Sequence, residues 1–274
     1  MSGYYWLASY PKSGNTWMRL ALWALRHGKP VDFAEFAGWA TVSGLRAVFD
    51  EVLGVESSDL SAAEIETLRP RVFETLSGEA PEPMLRKVHE PWILTPAGEP
   101  MFPPAVTLGA VYIVRDPRDV AVALSHHQGT SLDRAIAFMR SPPHERGAVW
   151  RQIDYHWVSW RRHVESWLDA PGVRVLPVRY EDMVADMPAV LAEVATFLGW
   201  DAEPEAIAAA VEATTFERLR IEEEKQGFGE KPLRMERFFR RGEAGGWRAV
   251  LSAEQAARIQ HDHGAAMRRL GYLE

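Results

Sequence analysis

The apolar run AVYIV at positions 110–114 constrains the fold more than any other feature of the sequence. A half-buried strand alternates apolar and polar residues, whereas this run offers no solvent-facing side. Such a strand belongs inside a sheet covered on both faces, as parallel sheets are by their crossover helices. Other strand-like segments, Tyr4–Ser9, Met84–Val88 and 173–178, alternate with helical patterns at Asn15–His27, 118–127 and 187–198. In the first of these helices Trp17, Leu20, Ala21 and Ala24 share one face, and Gly199 stops the last. The expected fold is therefore α/β, a single domain with a central parallel sheet flanked by helices. A length of 274 residues suits one such domain and is short for two.

Composition narrows the function. The chain has no cysteine, which excludes disulfides, zinc fingers and thiol nucleophiles. No apolar run approaches the roughly 18 residues needed to cross a bilayer, and Tyr4 already enters a strand, leaving no room for a signal peptide. The expected setting is reducing and cytoplasmic, without a membrane partner. A net charge of −7 argues against nucleic acid as a partner, so an anionic ligand must be held by local basic groups.

Two stretches depart from the strand–helix rhythm. Residues 28–83 look mainly helical and, with 128–148, are expected to shape a substrate pocket. Residues 222–246 are charged and glycine-rich with one proline, Pro232, and are expected to form a mobile flap. Neither reads as a separate domain.

Four segments carry chemistry. SYPKSGNTW at 9–17 joins the first strand to the first helix, where backbone N–H groups and the helix dipole favour anions. Gly14 lets an anion approach the backbone, Lys12 adds a charge, and Ser13, Asn15 and Thr16 add donors. The lysine precedes the glycine, so this is not the G-x-x-x-x-G-K-[ST] loop. The alternative is a plain turn with a surface lysine. VYIVRDPRDVAVALSHH at 111–127 ends a buried strand at Arg115, on the sheet edge where α/β proteins bind ligands. Asp116 and Asp119 leave open a purely structural ion-pair network there.

In RFFRRGEAGGWR at 237–248, Arg240 and Arg241 precede Gly242 and form a fork for phosphate oxygens, or else a solvated loop flanked by Glu236 and Glu243. In KVHEPW at 87–92, Lys87 and His89 share a strand face, although a lone histidine is more often structural. Trp150, Trp157, Trp160 and Trp167 read as one helical stripe of core packing rather than an aromatic substrate box. The histidines at 126, 127, 261 and 263 lack ligand spacing, so no metal is expected.

Together these segments resemble the sulfotransferase family that uses 3′-phosphoadenosine 5′-phosphosulfate (PAPS). The family's Y-P-K-S-G-T-T-W segment corresponds to 10–17, with Asn15 at the first threonine. Its R-[DN]-P-[RK]-D-V-A-V segment is intact at 115–122. K-T-H-x-P appears at 87–91 with Val88 replacing threonine, and R-K-G-x-x-G-x-W-[KR] at 240–248 with Arg241 for lysine. HVESW at 163–167, YEDM at 180–183 and TTF at 214–216 also match.

The resemblance implies a P-loop-like phosphosulfate-binding loop and transfer of a sulfuryl group from PAPS to a hydroxyl of a small-molecule acceptor, leaving 3′-phosphoadenosine 5′-phosphate (PAP). It implies His89 as general base, with Lys12 and Lys87 neutralising developing charge. It assigns Ser13, Gly14, Asn15 and Thr16 to the 5′ end of the donor, and Arg115, Arg240, Arg241 and Gly242 to its 3′-phosphate. Trp17, Tyr180, Thr214 and Phe216 fall to the adenine. Two departures stand out. The family's serine eight residues after the first arginine is Ala123 here, with Ser125 nearby, and the dimer segment of many animal members is not recognisable after Arg248. A homodimer therefore stays open. So do a P-loop nucleotide kinase and a non-catalytic nucleotide binder as alternatives. The abundant apolar and aromatic residues suggest an acceptor with an apolar body.

Overall fold

The structure is a computed structural model that describes residues 2–40, 43–142, 153 and 156–274. Four parallel strands, β1 (Tyr4–Ser9), β2 (Met84–Val88), β3 (Thr107–Val114) and β4 (Val175–Arg179), form one sheet in the order β2-β1-β3-β4. The chain leaves β1 toward one side to form β2 and crosses to the other side for β3. The loops after β1 and β3 therefore diverge, opening a crevice at their carboxyl ends. The apolar run at 110–114 lies within β3, buried on both faces as expected.

The alternation along the two central strands feeds two cores. Leu7, Val111 and Ile113 face one side, while Tyr4, Trp6, Ala8, Ala110, Tyr112 and Val114 face the other. After β1 comes α1 (Asn15–His27). Residues 28–83 are mainly helical, as expected, with α2 (Phe33–Phe36), α3 (Arg46–Leu53) and α4 (Ala62–Glu79), the last opened by a Ser61–Glu64 capping box. After β3, Asp116 caps α5 (Pro117–Gln128), whose Pro117 suits a first helical turn. Then follow α6 (Leu132–Arg140) and α7 (Trp160–Leu168). After β4 come α8 (Tyr180–Ala185), α9 (Met187–Phe197), α10 (Pro204–Ala213) and α11 (Phe216–Gln226), and α12 (Ala253–Arg269) closes the chain. Helices α1, α9 and α10 cover the first core, and α5, α6, α7 and α12 the second. Among the described residues no helix is long and apolar enough to cross a membrane.

The stretch 222–246 is less loose than its composition suggests. Its first residues are the last turn of α11, and the rest is irregular but anchored. The buried Glu223 carboxylate accepts from the Phe238 and Phe239 backbone N–H groups at 2.6 and 3.0 Å. Phe228 and Phe239 pack against Phe33. The tryptophan stripe divides: Trp160 and Trp167 lie on α7, fully buried, whereas Trp157 precedes the helix. Trp150 lies outside the described residues, as do 143–148 of the expected pocket segment.

Candidate active site

The loop after β1 is shaped by its backbone. Lys12 adopts φ 71° and Gly14 φ 102°, both in the left-handed region. That conformation is unfavourable for a residue with a Cβ and costs Gly14 nothing. A Cβ at Gly14 would also lie 2.6 Å from the Tyr180 ring, so position 14 excludes side chains twice over. No side chain caps α1, so its first N–H groups stay available to an anion. The Asn15 amide donates to the Leu7 backbone oxygen (2.8 Å) and to Ser9 Oγ (3.2 Å), tying the loop to β1.

Just beyond β3, Arg115 and Arg118 part company. Arg118 folds onto Asp116 at 2.6 Å, resolving the structural alternative for that residue. Arg115 instead stacks over the Tyr180 ring at 4.2 Å and donates to the Glu243 backbone oxygen at 2.8 Å. Asp119 accepts from the Gly245 and Trp247 N–H groups at 2.6 and 2.8 Å, docking the glycine-rich segment against α5. This brings Arg240 and Arg241 to the Arg115 side of the crevice. Gly242 (φ 68°) lies against Phe216, where a Cβ would come within 2.6 Å of the ring. Lys12, Arg115, Arg240 and Arg241 form no ion pair among the described residues. Four cations without a direct ion-pair partner around one crevice suit an anionic ligand.

The crevice opens into a cavity of about 770 Å³. Lys12, Thr16, Lys87, His89 and Glu230 meet at its floor. His89 Nδ1 lies 2.9 Å from the Ser9 backbone oxygen. A carbonyl only accepts, so Nδ1 carries the proton and Nε2 keeps its lone pair. His163 Nε2 lies 3.1 Å from the His89 backbone oxygen, and Tyr112 Oη lies 2.9 Å from His163 Nδ1. The same carbonyl argument makes Nε2 the donor, so the tyrosine hydroxyl donates to Nδ1. The adjoining residue, Glu90, is buried with Arg69 in a bidentate ion pair and accepts from the Trp167 indole at its backbone oxygen. His89 is thus held from three sides.

Burial and crowding tune these groups. Burial first, then Lys87, pushes His89 well below the usual imidazole range, so its ring is neutral. Burial, with Lys87 and Arg115 nearby, lowers Lys12 to about 8. Burial also lowers Lys87, against the opposing pull of Glu230. For Glu230 burial would raise the carboxyl, but Lys87 and Arg19 overcome it and hold it at about 2.

Most residues singled out in the sequence line this cavity: Lys12, Gly14, Asn15, Thr16, Trp17, Lys87, His89, Arg115, Tyr180, Phe216, Arg240, Arg241 and Gly242. Two do not. Ser13 is fully buried beneath the loop, and Thr214 is buried with its hydroxyl bonded to the Ala210 backbone oxygen. Thr214 reaches the site only through its own backbone oxygen, which accepts from the Trp17 indole at 2.9 Å. Asn15 lines the cavity but spends its amide N–H groups on β1. Ser125 does not replace the missing serine: it donates to the Val122 backbone oxygen, while Ala123, His126 and His127 face the cavity. Among the described residues no three His, Asp or Glu side chains converge as a metal site. Sequence reasoning missed Glu230, Arg19 and His163. An arginine among the apolar residues of α1 is a legible sign of a buried pair, but its partner lies over two hundred residues away.

Comparison with known proteins agrees with this geometry. The Sulfotransferase domain family matches residues 4–271. Cytosolic sulfotransferase 12 of Arabidopsis thaliana is 27% identical over 267 residues, covering 92% of this chain and 74% of the relative. Sulfotransferase 1A1 of Canis lupus familiaris is 24% identical, covering 97% and 83%. Among solved structures, retinol dehydratase in complex with androsterone and inactive cofactor PAP superposes with a TM-score of 0.64 at 22% identity, covering 96% of this chain and 80% of that one. A mouse sulfotransferase complexed with PAP gives 0.61 at 22% identity, covering 96% and 84%. The family match spans the strands, the cationic crevice and the buried histidine together, and the chain belongs to the sulfotransferase family.

Proposed function

We propose that this sulfotransferase draws its sulfuryl group from PAPS and passes it to a hydroxyl of a small molecule with an apolar body, with His89 as general base. The observation that carries the reading is the His89 tautomer, which leaves a neutral Nε2 on the wall of a cavity ringed by cations.

The site fits a bisphosphorylated nucleotide. The uncapped end of α1, with Thr16 and the loop amides, suits the 5′ phosphate. Arg115, Arg240 and Arg241 suit the 3′-phosphate, because they lack carboxylate partners and guanidinium forks match phosphate oxygens. Trp17, Tyr180 and Phe216 offer flat faces for the base. PAPS, when bound, supplies an electrophilic sulfuryl group with a phosphate leaving group. Lys12 and Lys87 neutralise charge on oxygens near that group, and His89 removes the acceptor proton. Phe33, Phe36, Gly38 and Leu45 on one wall and Val122 and Trp157 on the other leave an apolar space for the acceptor. The neighbours' own ligands, androsterone and retinol, support an acceptor of this class. A cytoplasmic setting accords with the cytosolic relatives.

The test is turnover. Incubating the protein with PAPS and a panel of hydroxylated aromatic and alicyclic molecules should give sulfated products by mass shift. A panel covering both classes that yields no PAPS-dependent product would overturn this acceptor class.

A further inference from the structure

Glu230 stands where the reading above places the anionic end of the donor. Its Oε2 lies 3.0 Å from Lys87 Nζ and 3.3 Å from Thr16 Oγ1, and its Oε1 lies 2.6 Å from Arg19 Nη1. Thr16 and Lys87 are the side chains assigned to the 5′-phosphate and the sulfuryl oxygens. Both groups of the donor are anionic, and so is the carboxylate. The Thr16 hydroxyl has one proton to donate and cannot serve both anions, and like charges packed together around Lys87 repel strongly where water is scarce.

We propose that Glu230 occupies the donor's 5′ anion subsite in the nucleotide-free protein and sets donor affinity, since the nucleotide enters only when the carboxylate gives up Lys87 and Thr16. The inference rests on the donor assignment under Proposed function.

The surroundings allow the exchange. Glu230 follows Gly227 and Gly229 and precedes a small loop that Lys231 closes on itself, its Nζ donating to the Met235 and Glu236 backbone oxygens at 3.1 and 3.2 Å. Leu233 at its tip is wholly exposed, so few packing contacts oppose a shift of this loop. Arg19, which would lose its carboxylate, keeps the Trp39 backbone oxygen at 3.3 Å and the Phe36 ring at 4.8 Å. Those neutral contacts soften the loss of the carboxylate without replacing its charge, and that cost counts against donor affinity. Lys87 and Thr16 exchange one anion for another.

Two ligands separate this proposal from the reading beneath it. PAP carries both phosphates, whereas adenosine 3′-phosphate lacks the 5′ group that would meet Glu230. By titration calorimetry, Glu230→Gln should bind PAP roughly tenfold tighter than the wild type, and adenosine 3′-phosphate within about twofold of it. Glu230→Ala should move in the same direction. Unchanged or weaker PAP binding by a folded Glu230→Gln protein would overturn the proposal, making Glu230 a residue that positions Lys87. An equal gain for both ligands would overturn the subsite placement. In either case wild-type preference for PAP over adenosine 5′-phosphate leaves the donor assignment standing. Loss of that preference overturns the assignment and, with it, this inference. Should the variants fail to fold, hydrogen exchange on the wild type decides: the amides of 229–235 should exchange faster at saturating PAP, and no change would refute displacement.

Discussion

His89 Nδ1 and the Ser9 backbone oxygen lie 2.9 Å apart, and that contact decides which ring nitrogen is free to act. Ser9 ends β1 and is paired in register with Ile113 of β3, so the carbonyl that orients the histidine belongs to the sheet. His89 itself lies just past the end of β2, so a carbonyl of the sheet fixes its ring without help from a ligand. Its neighbour Lys87 disfavours a second proton on the same ring.

Replacing His89 with alanine should lower turnover by about 10²–10⁴-fold with an acceptor whose hydroxyl is un-ionised. PAP binding, followed by thermal shift, should survive, because the role proposed for the histidine concerns the acceptor and not the donor. Near-native turnover of the variant would remove the base assignment. A readily ionised phenol is unsuitable for this comparison, since it can react without a base.

The nucleotide's 3′-phosphate should decide affinity. Arg115, Arg240 and Arg241 have no carboxylate partner among the described residues, and charge-assisted contacts are about twice as strong as neutral ones. PAP should raise the melting temperature clearly and adenosine 5′-phosphate barely. Arg115→Ala should shrink the PAP shift, and equal shifts from both nucleotides in the wild type would contradict the assignment.

Removing the Asp119 carboxylate should weaken the nucleotide site without touching the acceptor. Asp119→Ala strands the Gly245 and Trp247 N–H groups, each at a cost of about 1–3 kcal/mol where buried. The donor KM should rise well above the wild-type value while kcat and the acceptor KM change little. A kcat loss with an unchanged donor KM would argue against this clamp.

Acidity should act at three separate groups. His89 sits well below its ordinary value, so turnover should hold as pH falls through 6.5 and fail only at more acid pH. Lys12, at about 8, loses its charge as pH rises through that value, and donor binding should weaken there. Glu230 is held at about 2 against an ordinary 4.5, so the stability from its ion pairs is present above 4.5 and lost as pH falls through about 2. Melting temperature against pH should show that acid loss, and Glu230→Gln should reduce it.

Much of this site is written locally in the chain. The apolar run of β3, the left-handed turn around Gly14 and the basic residues beside each strand end follow from burial and backbone preferences acting over a few neighbours. Lys12, His89, Arg115 and Arg240 were therefore legible from the sequence and its family resemblance. Only the tertiary structure separated Arg115 from Arg118, because the Tyr180 ring beneath Arg115 comes from a distant segment after β4, whereas Arg118 meets the cap of its own helix. It also turned Ser13 and Thr214 away from the cavity and brought Glu230 to Arg19, Thr16 and Lys87. Those outcomes depend on how distant segments close over the sheet. The charges of Glu230 and Arg19 are visible in the sequence, but their pairing is set by packing between segments that share no local interaction.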